Sequence, residues 1–342
     1  MSRPTILDLA QASGVSVATV DRVLNGRHRV REETARRVYD AAQAIGYHAV
    51  GLLRQRIFED LPQYRLGFVL QRPQQAFYQA FARELEAAAQ AITTARVHVQ
   101  VEFASAGTPS AIVAGLKAVA VRNQAVAVVG PDYPALTAAV EELKARNIPV
   151  FSALSDLATG VRDAYVGVNN RKIGRTAAWM IAKAASKPGK VACFVGNHRF
   201  HGHELREIGF RSYFRENAPD FEVLETLINL ETAEITHEAT VNLIQKHPDL
   251  VGLYVCGGGM EGAISAVREE QLEGKLAVVV NELTVESKAA LADDTVVAVL
   301  GTPLTALCRE LLSLMIAALG GSGATIPGQS FLPFDIFISE NI

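Results

Sequence analysis

Two sets of residues in this sequence are spaced for chemistry. The first lies in GVSVATVDRVLNG, where Val17, Ala18, Asp21, Arg22 and Asn25 recur one turn apart and share the outward face of a short helix. Two apolar side chains held in water suit the methyl group of thymine, and an arginine can fork two hydrogen bonds onto a guanine edge. That face is fitted to the major groove of double-stranded DNA. The second set is dispersed: Gln71 to Tyr78, Gly130 to Tyr133, Ala153 to Asp156, Gly196 to His203, Gly257 to Met260, Asn281 to Glu282 and Gly301 to Thr302 each follow a short apolar run. If the runs are parallel strands, these stretches meet beyond the strands' carboxyl ends, where open α/β sheets hold ligands.

The elements that must position the first face are legible. Thr5 and Asp8 stand at capping-box spacing ahead of Ile6, Leu9 and Ala10, which fall on one helical face. Gly14 supplies a turn, and Ser16 caps a second helix that sends Val20, Val23 and Leu24 inward and ends at Gly26. Ala35, Val38, Ala42 and Ile45 give a third helical period, closed by Gly46 in the place of a left-handed C-cap. This is a helix-turn-helix with a bracing third helix. The next stretch, HAVGLLRQRIFEDLPQ, has Val50, Leu53, Arg54 and Ile57 at helical spacing, weakened by Gly51.

From Arg65 the texture changes. Leu66 to Leu70, Val97 to Phe103, Ala125 to Val129 and Pro149 to Ser152 read as strands, separated by alanine-rich helices at Ala76 to Ile92, Pro109 to Val121 and Leu136 to Arg146. The alternation resumes with strands near Val191 to Val195, Val223 to Leu227, Leu253 to Val255, Ala277 to Val280 and Val296 to Leu300. It predicts right-handed crossovers and two doubly wound parallel-sheet lobes. The expected fold is an all-α helix-turn-helix head (1–48), a hinge (49–63) and an α/β core (64–342). Lobe 1 takes about 64–160 and 301–328, lobe 2 about 161–300 and 329–342.

Charge is divided along the chain. The net charge is −3, but residues 1–56 hold nine arginines, no lysine and five acids, a balance of +4 that leaves −7 on the remainder. A basic head on an acidic body suits local contact with DNA. Cys193, Cys256 and Cys308 sit in apolar runs without metal spacing and read as reduced core residues of a cytosolic protein. There is no apolar leader and no run long enough to span a membrane, so a cytoplasmic location without membrane contact is expected. His198, His201 and His203 form an HxxHxH cluster, read as polar pocket lining rather than a metal site because no cysteine lies near. The GGG at 257–259 lacks P-loop and GxGxxG spacing, and GxSxG and HExxH are absent, so no cofactor, metal or catalytic residue is expected.

The run GVSVATVDRVLNG, followed by VREETARRV and AIGY, resembles the DNA-binding domain of the lactose-repressor (LacI) family of bacterial regulators. The resemblance implies that Ser16, Val17, Ala18, Thr19, Arg22, Asn25, Arg29 and Thr34 touch DNA, with Thr5 and Asp21 beside them. Asp21 stands where the family has serine against a phosphate, and there its carboxylate either meets repulsion or orients Arg22. Arg31 replaces the serine cap of the third helix. In the family the following tail becomes a hinge helix on DNA and pushes a leucine between base pairs of the minor groove. Arg56 occupies that leucine's position, so either Leu53 or Ile57, beside Arg54, takes the wedge's place or the hinge differs from the family's.

The rest resembles the type I sugar-binding fold shared by periplasmic binding proteins and LacI-type cores. The markers are Phe77-Tyr78, AYVGVNNRKIGRTAAWMI at 164–181, HELREIGF at 203–210 and the closing ENI. It implies that Arg206 binds an effector's hydroxyls or carboxylate, that Asp132 and Asp156 accept hydroxyl protons, and that Phe77 or Tyr78 stacks on a sugar face. The strand-end positions add Gly258, Met260 and Glu282, whereas Gly301 and Asn281 replace polar partners frequent in the family. The whole implies a bacterial repressor that binds a palindromic operator as a homodimer through its cores and answers allosterically to a sugar, polyol or sugar acid. The alternative is a sugar-binding module or enzyme of the same core with no regulatory role.

Overall fold

A computed structural model describes residues 4–25, 30–57, 61–321 and 328–342, without the side chains of residues 32 and 54–57. Gly26, Arg29 and the side chains of Arg54, Arg56 and Ile57 therefore lie outside the described residues. The chain divides into two compact units, Met1–Tyr64 with Ile92–Val97, and Arg65–Ala91 with His98–Ile342.

The first unit carries α1 (Ile6–Ser13), α2 (Val17–Asn25), α3 (Glu32–Ala44) and α4 (Val50–Ile57). The capping box forms: the Asp8 N–H donates to Thr5 Oγ1 at 3.3 Å and the Thr5 N–H to the Asp8 carboxylate at 2.7 Å. Gly14 and Gly46 both take positive φ, and the Tyr47 N–H reaches back to the Ala42 carbonyl, closing α3. Leu9, Val20, Val23, Val38, Ala42, Tyr47 and Leu53 form the core between the helices. Leu53 is completely buried there, which corrects its expected place as a minor-groove wedge: α4 turns it into the head's own core and leaves Leu52 outside, 45% exposed. Arg31 stands at the N-cap of α3 with no side-chain hydrogen bond to the helix. Arg31→Ser should therefore stabilise α3 by about 1 kcal/mol, measured as slower hydrogen exchange of the amides in its first turn.

The second unit holds two sheets. The first has the order β12 (Gly328–Leu332), β5 (Ala164–Val168), β4 (Val150–Ala153), β3 (Ala125–Val128), β1 (Gln63–Leu70), β2 (Arg96–Phe103). The second has the order β13 (Asp335–Phe337), β11 (Ala298–Gly301), β10 (Ala277–Asn281), β9 (Leu250–Val255), β6 (Lys190–Val195), β7 (Glu222–Val223), with β8 (Leu227–Ile228) also on β6. The central strands are buried throughout, as parallel sheets covered on both faces require. The covering helices are α5 (Ala76–Ala91), α6 (Pro109–Ala120), α7 (Pro134–Ala145), α8 (Asn170–Ala184), α9 (His201–Asn217), α10 (Ala233–Lys246), α11 (Met260–Glu269), α12 (Val285–Ala292) and α13 (Leu304–Leu319).

Three details depart from the sequence expectation. The run Val223 to Leu227 is not one strand: β7 and β8 pair separately with β6, two residues each. The first sheet continues past 160 through β5 and regains β12, so 164–168 and 329–332 pair there and not in the second. The chain closes with β13 antiparallel to β11. Cys193 and Cys256, distant in sequence, are fully buried with Sγ atoms 3.2 Å apart across β6 and β9. Burial pushes the Cys193 thiol well up.

Candidate functional site

Where the carboxyl ends of the two sheets face each other, a cleft opens, lined from β3, β4 and the start of α5 on one side and from the ends of β8, β9, β10 and β11 on the other. Its central cation is Arg206, 7% exposed, one turn into α9. Two glycines bring α8 and α9 close enough to place it. A Cβ at Gly174 would lie 1.8 Å from the Arg206 carbonyl oxygen, and one at Gly209 would lie 2.2 Å from that of Arg171. The guanidinium is then fixed, with Nε donating to Asn170 Oδ1 at 2.7 Å and Nη1 to the Cys256 carbonyl. Nη2 has no protein partner among the described contacts and remains to serve whatever enters the cleft.

Glutamates surround this cation. Glu282 follows β10 on left-handed backbone (φ 69°) and accepts from the Thr302 amide at 2.9 Å and the Thr302 hydroxyl at 2.7 Å. Burial raises its pKa, with the Arg206 charge opposing. Glu231 accepts from Arg72 Nε at 2.7 Å and from the Gly258 amide at 3.3 Å. Glu261 lines the same cleft. His203 accepts the Gly196 N–H on Nδ1 at 3.2 Å, leaving Nε2 3.7 Å from Glu231. Burial depresses its pKa to about 4, with Glu231 opposing and Arg206 and Arg72 assisting, so the ring is neutral at neutral pH. Phe77, Tyr78 and Phe200 give apolar walls, and burial raises the Tyr78 phenol far out of the titrating range.

The two lobes are tied across the cleft mouth. Arg72, from the end of β1, holds the Glu231 carboxylate and donates from Nη2 to the Leu230 carbonyl at 2.9 Å, while Gln75 donates to the Glu231 carbonyl at 3.3 Å. Deeper, the Gly202 amide donates to Ser155 Oγ at 3.1 Å. Arg72, Leu154, Leu230, Glu231 and Glu282 all have positive φ, a conformation costly for residues with a Cβ. Strain of that kind persists where surrounding contacts over-determine it, and here it gathers at the rim of one cavity.

In the head, α2 presents Val17 (39% exposed), Ala18, Asp21, Arg22 and Asn25 to water. Ser16 caps it, its Oγ accepting from the Thr19 N–H at 3.2 Å. Among the described residues the Asp21 carboxylate is bonded by the Asn25 amide, Nδ2 to Oδ1 at 2.6 Å, and not by Arg22, whose orientation is one of the two alternatives the sequence leaves for this acid. Thr5 is exposed at the cap of α1, and Thr34 is half-buried in the first turn of α3.

Residues 66–323 match the family described as periplasmic binding protein domain, and residues 5–49 match bacterial regulatory proteins of the lacI family. The chain belongs to the lacI-type transcriptional regulators with a periplasmic-binding-protein core. An uncharacterized HTH-type transcriptional regulator of Streptomyces limosus, from an aml 5' region, is 26% identical to this regulator over 93% of the present chain and 86% of its own. The HTH-type transcriptional regulator MalR of Streptococcus pneumoniae is 37% identical over 75 residues, 22% of each chain. In fold, the regulator is similar to an ABC transporter solute binding protein from Burkholderia graminis in complex with D-arabinose (TM-score 0.76, 18% identity, 82% of this chain and 97% of that one). It is similar also to one from Agrobacterium vitis bound with alpha-D-tagatopyranose (0.74, 22%, 81% and 95%).

Of the residues singled out in the regulator's sequence, Phe77, Tyr78, Arg206, Gly258, Met260 and Glu282 line the cleft. Asp132 and Asp156 do not. The Asp132 carboxylate accepts from the Ala158 amide at 3.1 Å. Asp156 is 3% exposed and held by both Arg162 Nε and Nη2, by Ser152 and by Gln329. The histidine cluster separates: His203 lines the cleft, whereas His198 and His201 turn to Glu207 and Glu204. The sequence pattern does not distinguish Glu231 or Asn170 as cleft residues: Glu231 follows β8, only two residues long, and Asn170 opens α8 just beyond the five-residue β5. At Gly301 a Cβ would stand 2.7 Å from the Phe337 ring, which accounts for the missing polar side chain there.

Proposed function

We propose that this regulator is a cytoplasmic repressor that binds a palindromic operator as a homodimer, its operator affinity set by a neutral sugar or polyol held between the lobes. The observation that carries the ligand class is the company Arg206 keeps. Its Nε and Nη1 are engaged, and three glutamates line the cleft while the second arginine, Arg72, is tied to one of them. Carboxylates accept from hydroxyls and Nη2 donates to a hydroxyl oxygen, but a sugar acid would bring a further negative charge into a net acidic, buried site. The solute binding proteins of like fold bound to D-arabinose and tagatopyranose support a sugar.

The Arg72–Glu231 tie supports the coupling. A ligand that binds one state of lobe closure better than the other shifts the populations by its differential affinity and by nothing else. In this reading, closure reaches the head through the segment of chain that precedes β1. One recognition helix reads few base pairs, hence the dimer. In a thermal-shift screen of neutral monosaccharides, polyols and sugar acids, the neutral compounds should raise Tm. Stabilisation confined to the acids would overturn the assignment. Light scattering at micromolar concentration should return a dimer, and a monomer there would count against the palindromic mode.

A further inference from the structure

The hydrogen bond on the reading face of α2 has a chemical consequence. Asn25 Nδ2 donates to Asp21 Oδ1 at 2.6 Å, one turn apart, with both residues exposed. A carboxylate only accepts, so this bond fixes which end of the Asn25 amide is nitrogen. Flipped, the amide oxygen would face the carboxylate oxygen without a proton between them. The amide thus keeps its second N–H and its Oδ1 in one order, facing away from Asp21. The same bond engages one oxygen of a charge that would otherwise meet DNA phosphate bare.

We propose that Asp21 is a positioning residue for DNA reading that acts through Asn25, orienting its free donor and acceptor toward the duplex. The proposal rests on the DNA-binding role of this face and adds to it where specificity is set. An unrestrained asparagine samples both amide orientations and several rotamers, so it offers DNA either a donor or an acceptor at the same place. Restrained, it offers one pattern, and a base pair or phosphate geometry that does not match is rejected. Arg22 is a reader in its own right under this scheme and needs no help from Asp21.

The test is a double-mutant cycle on the full-length chain, scored as the ratio of affinities for a duplex selected by the wild-type protein from a random-sequence pool and for its scrambled counterpart. All positions lie on an exposed helical face, and helix content by circular dichroism controls for folding. Asp21→Ala and Asn25→Ala should each lower the ratio about fivefold, the scale of one hydrogen bond, and the double variant should be no worse than the weaker single. Asp21→Asn, whose amide can either accept from Asn25 or donate to it, no longer fixes the order of the Asn25 amide and should lower the ratio as Asp21→Ala does, while the lost charge tightens binding to both duplexes and steepens the salt dependence. An unchanged ratio in Asp21→Ala would overturn the proposal. So would additive losses in the double variant, which would mean that Asp21 acts independently of Asn25, or an Asp21→Asn variant that keeps the wild-type ratio. If the wild-type chain selects no sequence at all, the DNA-reading role itself is overturned, a result distinct from any of these.

Discussion

Arg206→Ala should weaken binding of the sugar or polyol by about 10- to 150-fold, the 1.5–3 kcal/mol of a charge-assisted hydrogen bond, and leave operator affinity without ligand within about twofold. The direction follows from geometry: α8 and α9 approach closely enough at Gly174 and Gly209 to hold the guanidinium, and Asn170 and the Cys256 carbonyl fix it, so Nη2 is aimed before the ligand arrives. Arg206→Lys keeps the charge but not the plane of donors and should fall between the two. Calorimetry with a hit from the thermal-shift screen measures it. Unchanged affinity in Arg206→Ala would place the ligand elsewhere.

Asp156→Ala should destabilise the core by about 3–5 kcal/mol, because it strands the Arg162 guanidinium, 2% exposed, without its carboxylate. Arg162 also donates to the Gly328 carbonyl and Gln329 to Asp156, so the loss should detach β12 from the first sheet. The pH dependence has a definite sign. Burial by itself would raise the Asp156 pKa, but hydrogen bonds from Arg162, Gln329 and Ser152 outweigh it and hold the carboxyl below its ordinary value. Its stabilisation is therefore fully present above the unfolded value of about 4 and is lost as pH falls through the lower folded value. Urea unfolding of wild type and Asp156→Ala across that range measures both effects. Equal stability of the two proteins at neutral pH would contradict them.

Asp156 also marks the limit of what the sequence tells. Its place after β4 was legible, and strand ends do gather at the cleft, but whether a strand-end carboxylate turns toward ligand or toward an arginine six residues on is decided by packing. Glu231 illustrates the converse: its charge belongs to the lobe tie, yet the two-residue β8 ahead of it is too short for alternation to register. The head was more readable because caps and turns are local. Thr5 with Asp8, Gly14 and Gly46 specify helix ends within four residues of themselves. Leu53 was not readable, since helical spacing leaves open whether α4 packs its apolar face on the head or holds it out. Asp21 fell between the two: its contact is local, but with Arg22 adjacent and Asn25 one turn on, only side-chain geometry chooses the partner.

The coupling of cleft to operator is tested most directly by measuring operator affinity with the cleft empty and with it saturated by a neutral sugar or polyol, and in parallel the affinity for that ligand with and without operator. Linkage requires both ratios to be equal, and an allosteric regulator should show a factor of about 5 to 150. A ligand that binds the cleft yet leaves operator affinity unchanged would contradict the central claim.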